Sequence, residues 1–451
     1  MGNYFKVVEK KGISCNYAPL LGHRAVRSCV MGEDSKRQAT KTERAAMAGL
    51  IRQALDEGCI GMSIGLDYDS DVFAAREEIV EHVSILKDYP GAVFHPHSRR
   101  TGRRRDWAAG HRLHDKIDGI REVLDICRAT GVRMNIAHLF TGWYVNPQGY
   151  PHILEEANRR ATLMVIDEAL KEGLDISFDA IPSALPTKFG GSSYLCATFV
   201  PWLRELGTRE KFAQWLKVPE FREEIKDAIR RGKWFMTPET NPNTNPRWAE
   251  NFVLLKHKNS ACENKTLQQI AEERRKDPFE VWFDLIVEDP DARSSGASVY
   301  PTGTPDPDAL YHALFYQHPV GVVGLDTSAV DYKRESTVPP WSVPGIAQYS
   351  AYIGFFDKFV NRMKALTLEE AVRKTSALVA ERNNLTGRGT IKEGCYADIV
   401  LIDLPNLQVT GTPLEPRQQP KGIEYVFVNG VAVVKNAKHT GATPGRVLKR
   451  E

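Results

Sequence analysis

Short apolar runs alternate with amphipathic stretches along most of the chain, and this alternation predicts a repeated strand–helix unit. The apolar runs predict strands at about 13–20, 59–64, 91–97, 132–138, 175–181 and 319–326. Between these runs, apolar positions recur at helical spacing over 41–57, 74–86, 117–130 and 157–172. Strands that alternate with helices favour a parallel α/β sheet, either closed into a barrel or open and doubly wound.

The alternation of predicted strands and helices is interrupted in two places. From about residue 184 to 317 the pattern predicts a long, mostly helical insertion, which is typical of a lid or substrate loop. After Arg388 the pattern changes to short strands at 389–394, 397–403 and 422–435, with a hairpin predicted at Asn429-Gly430. We therefore expect a barrel domain over 1–384 and a small β portion over 385–451.

Composition narrows the function classes. The 451 residues carry 60 basic and 57 acidic side chains, a net charge of +3, which gives no reason to expect nucleic acid or an anionic membrane as a partner. No apolar run approaches the length of a membrane span. The seven cysteines are scattered without CxxC pairs, which is typical of reduced thiols and predicts a cytoplasmic protein.

Polar residues end several predicted strands. His97, His138 and Asp326 each follow an apolar run, and the carboxyl ends of barrel strands are where barrel enzymes keep their chemistry. An open doubly wound sheet would instead show a glycine-rich dinucleotide loop, which the run 58–65 does not supply. His95 is spaced to form a His-x-His metal pair with His97, but a buried, hydrogen-bonded histidine is the plainer interpretation.

These residues, in order, resemble the amidohydrolase superfamily, and most closely its D-aminoacylase (N-acyl-D-amino-acid deacylase) family. The resemblance is carried by an ordered set of segments: Gly22-His-Arg-Ala-Val-Arg27, Gly61-Met-Ser-Ile-Gly-Leu-Asp-Tyr68, His97-Ser-Arg99, Ala137-His-Leu139, Gly321 to Asp326, and Gly394-Cys-Tyr-Ala-Asp-Ile-Val400. It implies a (β/α)8 TIM barrel of amidohydrolase type with a small C-terminal β-sandwich portion. The implied activity is zinc-dependent hydrolysis of a C–N bond in a small-molecule amide.

The resemblance also implies roles for the strand-end residues. His97 and His138 would be zinc ligands, and Asp326 would be both a ligand and the acid/base that moves the proton. His95 has no counterpart in the family pattern. One or two divalent metal ions are expected, and further ligands of the family, a His-x-His and a cysteine on the first two barrel strands, have no counterpart in this sequence.

The predicted strands correspond to barrel strands three to eight, so the barrel is incomplete in this chain. We expect a second polypeptide to supply the first two barrel strands and the missing sandwich strands, which would make the enzyme a split heteromer. The rival explanation is an inactive fragment.

The residues that the resemblance would place in substrate binding differ from the family pattern. Its Ser-His-Leu-Lys becomes Ala137-His-Leu-Phe140, and its Asp-x-Tyr-Pro-Tyr becomes Asp179-Ala-Ile-Pro-Ser183. Phe140 and Ile181 suggest a more apolar pocket. The predicted substrate-binding residues are Arg99, Phe140, Asp179, Ile181, Lys333 and Arg334. Three alternatives stay open: a cyclic amide or imide hydrolase, another metal-dependent lyase on the same barrel, and a non-catalytic structural or regulatory subunit.

Overall fold

A parallel sheet surrounded by helices forms the larger part of the molecule. The computed structural model describes residues 1–68, 70–99, 116–139, 153–182, 193–231, 242–243, 246–296, 307–327 and 345–450. The strands, in chain order, are β1 (Leu20–Gly22), β2 (Gly61–Gly65), β3 (Val93–His97), β4 (Met134–Ile136), β5 (Ile176–Ala180), β6 (Ser193–Tyr194), β7 (Phe252–Lys256), β8 (Arg293–Gly296), β9 (Gly321–Val323), β10 (Ile399–Ile402), β11 (Ile423–Val428), β12 (Val431–Lys435) and β13 (Lys438–His439).

The helices lie between these strands. In chain order they are α1 (Gly2–Lys11), α2 (His23–Met31), α3 (Lys41–Asp56), α4 (Arg76–Ser84), α5 (Lys116–Thr130), α6 (Ile153–Lys171), α7 (Val200–Leu206), α8 (Arg209–Trp215), α9 (Pro219–Arg230), α10 (Leu267–Arg274), α11 (Pro278–Glu288), α12 (Pro307–Gln317), α13 (Ala347–Phe355), α14 (Leu368–Thr375) and α15 (Ala377–Arg382). A π-helical segment, Phe356–Arg362, continues α13. Within the described residues, every helix is too short or too polar to cross a lipid bilayer.

Six strands pair in the order β1-β2-β3-β4-β5-β9, and every pair is parallel. Most side chains in these strands are buried on both faces, as expected for a sheet covered by helices. Because all six strands run in the same direction, their carboxyl ends lie at one edge of the sheet. This architecture confirms the predicted parallel α/β fold, and the alternation of strand and helix is that of a barrel.

The first predicted strand is wrong in its bounds. Only Leu20–Gly22 joins the parallel sheet. Upstream of it, Ile13 and Tyr17 form isolated parallel bridges with Pro444 and Val447 near the chain's other end. Apolar alternation identified an extended segment there but could not show that its partner lies more than 400 residues away. Before this segment, Gly2–Lys11 form the helix α1, whose Phe5 joins the main core.

The insertion has its own core. Helices α7 to α11 pack on an antiparallel sheet of order β6-β8-β7, so the predicted mostly helical segment also contains strands. Its buried residues form a cluster distinct from the one under the parallel sheet. Trp282 lies at its centre, with ring centroids 4.7 Å from Phe199 and 4.5 Å from Phe252.

The C-terminal portion is an antiparallel sheet of order β10-β11-β12-β13. The hairpin predicted at Asn429-Gly430 is present between β11 and β12, with φ of 50° and 81° at the two turn residues, the left-handed conformations that such a turn requires. The strand predicted at 389–394 is wrong, since those residues form no strand. Two glycines with positive φ, Gly389 and Gly394, bound that segment.

Candidate active site

Three side chains from three strands meet at the carboxyl edge of the parallel sheet. His97 is the last residue of β3, His138 follows β4 by two residues, and Asp326 follows β9 by three. The rings of His97 and His138 meet edge to face with centroids 4.5 Å apart. His138 Nε2 lies 3.7 Å from Asp326 Oδ2. The structure thus brings together the three residues that the sequence predicts as metal ligands.

The backbone at two of these residues is unusual. His138 has φ of 32° and Asp326 has φ of 44°, the left-handed region that few non-glycine residues adopt. Such conformations cluster at functional sites, where surrounding contacts hold them.

The tautomer of His97 is set by its neighbour. Its Nδ1 lies 2.8 Å from the carbonyl oxygen of Ser98, so Nδ1 carries the proton and donates it. The lone pair is therefore on Nε2. A histidine held in this way by a backbone carbonyl is the usual arrangement of a metal ligand. His97 and His138 are both nearly buried, whereas the Asp326 side chain is 58% exposed at the mouth.

Asp179 supports His138 from the neighbouring strand. Its Oδ1 accepts a hydrogen bond of 2.8 Å from the backbone N–H of His138, and its Oδ2 accepts one of 2.8 Å from Asn135 Nδ2. A Cβ at Gly324 would lie 2.3 Å from Asp179 Oδ1, so only glycine leaves room for this carboxylate beside β9. The predicted contact of Asp179 with substrate stays a prediction; in the structure its carboxylate bonds the backbone of His138 and the side chain of Asn135.

Arg99 is engaged by protein groups. Its Nε donates to both oxygens of Glu122, at 3.0 and 2.9 Å, and its Nη1 donates to the carbonyl oxygens of Leu66 and Val72. Arg99 is buried, and its two bonds to carbonyl oxygens tie together Leu66 and Val72, which follow β2. Its predicted contact with substrate stays a prediction, and these bonds account for the residue without one.

The remaining predicted site residues divide into two groups. Ile181 follows β5 at the same edge, and its carbonyl oxygen accepts a hydrogen bond from His312 Nε2 at 2.8 Å. Phe140, Lys333 and Arg334 lie outside the described residues. His95, which the sequence suggests is a buried, hydrogen-bonded histidine, is half-buried: its Nε2 bonds Asn383 Oδ1 at 3.0 Å, and desolvation lowers its pKa to about 4.

Sequence reasoning missed a second polar cluster close to this site. His23, Glu78 and His82 are fully buried, and one ligand atom from each lies within 4.8 Å of the others. His23 belongs to the quoted segment Gly22 to Arg27, but that segment alone gave the histidine no role. Its partners lie 48 or more residues away in the sequence, where no local pattern could connect them.

Comparisons with known proteins agree with this fold. The amidohydrolase family model matches residues 341–434. D-aminoacylase of Alcaligenes xylosoxydans xylosoxydans is 26% identical over 99% of this chain and 73% of its own length. N-acyl-D-glutamate deacylase of the same organism is 25% identical over 100% of this chain and 73% of its own.

Solved structures show the same architecture. A crystal structure of D-aminoacylase superposes with a TM-score of 0.64 at 22% identity, covering 100% of this chain and 75% of that chain. N-acyl-D-glutamate deacylase from Bordetella bronchiseptica, complexed with zinc and a phosphonate inhibitor, superposes with a TM-score of 0.65 at 22% identity, covering 99% of this chain and 74% of that chain.

Proposed function

We propose that this chain, which matches the amidohydrolase family model over residues 341–434, hydrolyses the C–N bond of a small N-acyl amino acid at the mouth of its barrel. The observation that supports this most directly is the meeting of His97, His138 and Asp326, with His138 Nε2 and Asp326 Oδ2 3.7 Å apart. A decayed, non-catalytic barrel would have no need to keep these groups together on three separate strands.

The donor set fits a divalent metal ion. His97 offers Nε2, His138 offers Nε2, and Asp326 offers a carboxylate oxygen, the ligand types that zinc accepts. We propose zinc in particular because a relative's structure is described as a zinc complex. When bound, the metal would lower the pKa of a water towards neutrality and polarise the amide carbonyl.

The protein's own residues would move the proton. The Asp326 side chain is largely exposed and its backbone has a left-handed φ of 44°, and we propose that its carboxylate reaches both the attacking water and the leaving nitrogen. We assign it the role of general base towards the water and then of general acid towards the nitrogen. His97 and His138 stay in place through this transfer, because their backbone and ring contacts fix them.

The substrate's other groups would be bound by the loops around the mouth. Ile181 borders the site, and we propose that it contacts the acyl chain or side chain of the substrate. For the substrate carboxylate we propose Lys333 or Arg334, in place of the lysine and first tyrosine that the family pattern has and this sequence lacks.

We propose that further strands complete the parallel sheet. Among the described residues, β1 pairs only with β2, and β9 pairs only with β5. A (β/α)8 barrel closes with eight strands, and two more strands between β9 and β1 would complete it. The D-aminoacylase relative is a longer single chain, of which this chain covers 73%. We propose that the two closing strands, with further metal ligands, come from a polypeptide segment outside this chain.

The test replaces Asp326 with asparagine. The protein, with any partner that co-purifies, is assayed for amine release from a panel of N-acetyl-D-amino acids, and its zinc content is measured in parallel. Asp326→Asn should lower kcat by roughly 10²- to 10⁴-fold, the range for loss of a general acid/base, while zinc stays bound. The control is Asp34→Asn, an exposed carboxylate in another element, which should leave turnover unchanged. Activity that survives Asp326→Asn would exclude the proposed proton transfer.

The origin of the missing strands is tested by purification. The chain is isolated alone and together with a co-expressed partner, and metal per chain and turnover are compared. A lone chain with full metal content and full activity would exclude the split enzyme and leave the hydrolase proposal intact.

A further inference from the structure

Five buried polar side chains lie together behind the carboxyl ends of β1 and β2. They are His23 and Arg27 on α2, Asp71 in the loop after β2, and Glu78 and His82 on α4, each at most 1% exposed. Burying so many polar groups is costly unless each is paired. The mechanism proposed above uses none of them.

The possible ligand atoms of His23, Glu78 and His82 are spaced as in a metal site, but the charges around them do not suit a metal cation. Arg27 Nη1 already donates to Glu78 Oε1, so a dication would lie beside a guanidinium. The nitrogens that would bind it, His23 Nε2 and His82 Nδ1, are hydrogen-bonded to each other at 2.9 Å. Arg27, Asp71 and Glu78 together carry one net negative charge, which one extra proton on the two imidazoles balances.

The hydrogen bonds locate that proton. His82 Nε2 lies 3.1 Å from the carbonyl oxygen of Arg44 and must donate to it. Burial, and then the charge of His23, lower the pKa of His82 to about 4, so His82 is neutral and its Nδ1 accepts from His23 Nε2. His23 Nδ1, 2.9 Å from Asp71 Oδ1, donates as well. His23 is therefore an imidazolium paired with the Asp71 carboxylate.

Asp71 connects this pair to the end of β2. Its Oδ2 accepts a hydrogen bond of 3.1 Å from the backbone N–H of Gly65, which lies opposite His97 in the parallel register. The next residue, Leu66, donates its N–H to the His97 carbonyl oxygen at 3.1 Å. The loop that begins here is thus tied to both His23 and His97.

The loop places an aromatic ring on His97. The ring of Tyr68 meets the His97 imidazole edge to face, with centroids 4.8 Å apart. A Cβ at Gly65 would lie 2.5 Å from the Tyr68 ring, so glycine is what lets the ring turn back over the strand end. Arg99 Nη1 holds the same loop from its other side, through the carbonyl oxygens of Leu66 and Val72.

We propose that the buried His23–Asp71 ion pair is a positioning device for His97. It fixes the backbone of Gly65, and Tyr68, whose N–H donates to the Gly65 carbonyl oxygen at 2.9 Å, packs its ring against the imidazole. The orientation of His97 therefore depends on a charge pair that touches neither substrate nor metal. The inference rests on the proposed function only in treating His97 as a metal ligand.

The test reads His97 directly, without substrate. The full chain is labelled with carbon-13 at the histidine Cε1 position, and the ring signals are recorded in chelator-treated buffer. The His97 signal is identified by its loss in His97→Gln. Tyr68→Leu, which buries no charge, defines how far the signal moves when the ring contact is lost.

Asp71→Asn should move the His97 signal in the same direction as Tyr68→Leu, and should weaken zinc binding in competition with a chelator by about tenfold, as outer contacts of ligands do. The matched control is Asp167→Asn, which breaks another histidine–aspartate bond, to His318 at 3.0 Å. A His97 signal unchanged in Asp71→Asn, or moved as much in Asp167→Asn, would overturn the proposal. Because this signal needs no turnover, a failure of the proposed hydrolase activity would leave the result readable.

Discussion

The carboxylate of Asp179 accepts the backbone N–H of His138 at 2.8 Å, where the histidine has φ of 32°. A backbone N–H turned out of the strand pattern needs an acceptor when it is buried. Asp179 provides that acceptor from the neighbouring strand. The conformation of one predicted metal ligand is therefore stabilised by a side chain that touches its backbone and not its ring.

This bond ends a longer chain of buried contacts. Arg382 Nε donates to Ser177 Oγ at 2.9 Å, Ser177 Oγ donates to Asn135 Oδ1 at 2.9 Å, and Asn135 Nδ2 donates to Asp179. Ser177 and Asn135 each accept from one neighbour and donate to the next, so each of these bonds fixes the direction of the one after it. The charge on Asp179 also raises the pKa of the buried Tyr316 phenol, after burial itself.

Asp179→Asn should reverse the direction of the hydrogen bond between residues 135 and 179 and disturb the bonds that lead to it. The new amide can still accept from His138, but its N–H groups then face the donor of Asn135. Asn135 must flip, and the Ser177 hydroxyl then loses its 2.9 Å acceptor and keeps only the Met134 carbonyl oxygen at 3.4 Å. We expect zinc affinity and turnover to fall by roughly 10- to 100-fold, as for other outer contacts of metal ligands. Chelator competition measures the affinity. Asp118→Asn, an exposed carboxylate on α5, is the control and should change neither quantity.

The Asp179 bond also shows what the sequence could predict and what it could not. Strand ends follow from local apolar runs, so His97, His138 and Asp326 could be named in advance. The contact between Asp179 and His138 joins residues 41 apart, and that between His23 and Asp71 joins residues 48 apart. Such pairings depend on sheet order, which a single sequence does not specify, so the supporting residues were missed or given substrate roles.

A close approach makes Gly324 sensitive to substitution. Gly324→Ala would place a Cβ 2.3 Å from Asp179 Oδ1, a distance that the backbone or the carboxylate must relieve by moving. We expect zinc affinity to fall as in Asp179→Asn. Gly131→Ala is unsuitable as a control because of its positive φ, whereas Gly49→Ala in α3 meets nothing within 4 Å and should leave zinc affinity unchanged. An unaltered affinity in Gly324→Ala would show that the Asp179 position is not critical.

His95 should make the fold less stable in acid. Burial lowers its pKa from 6.5 to about 4, so the unfolded chain binds a proton there that the folded chain does not. The free energy of unfolding should therefore fall as the pH drops from about 6.5 to 4, by at most about 1.4 kcal/mol per pH unit from this residue. Above pH 7 both states are neutral and the contribution vanishes.

Urea denaturation at pH 7, 6 and 5 measures this effect. His95→Gln keeps an amide that can bond Asn383 but removes the titrating group, so its pH dependence should be shallower than that of the parent. The control is His439→Gln, which removes an exposed histidine and should leave the slope as it was. Equal slopes in His95→Gln and the parent would refute the assignment.

Helix α14 should lose stability when its cap is removed. The Thr367 hydroxyl accepts the N–H of Glu370, and the Glu370 carboxylate accepts the N–H of Thr367, which is a reciprocal capping box. Thr367→Ala should lower the free energy of unfolding by about 1 kcal/mol. Thr375→Ala in the same helix removes a hydroxyl that bonds only helix carbonyls, at Ala371 and Val372, and should cost less. Thermal denaturation of the two variants compares them.

The insertion should unfold separately when its core is opened. Trp282 is fully buried among aromatic rings, and its Nε1 donates to the carbonyl oxygen of Leu195 at 3.3 Å. Trp282→Ala should lower the stability of this unit by about 3–5 kcal/mol, whereas Trp282→Phe keeps most of the packing and should cost less. Because the two cores are distinct, hydrogen exchange should lose protection over 193–296 while β2, β3 and β5 keep theirs. Loss of protection in the barrel strands as well would show that the two cores unfold together.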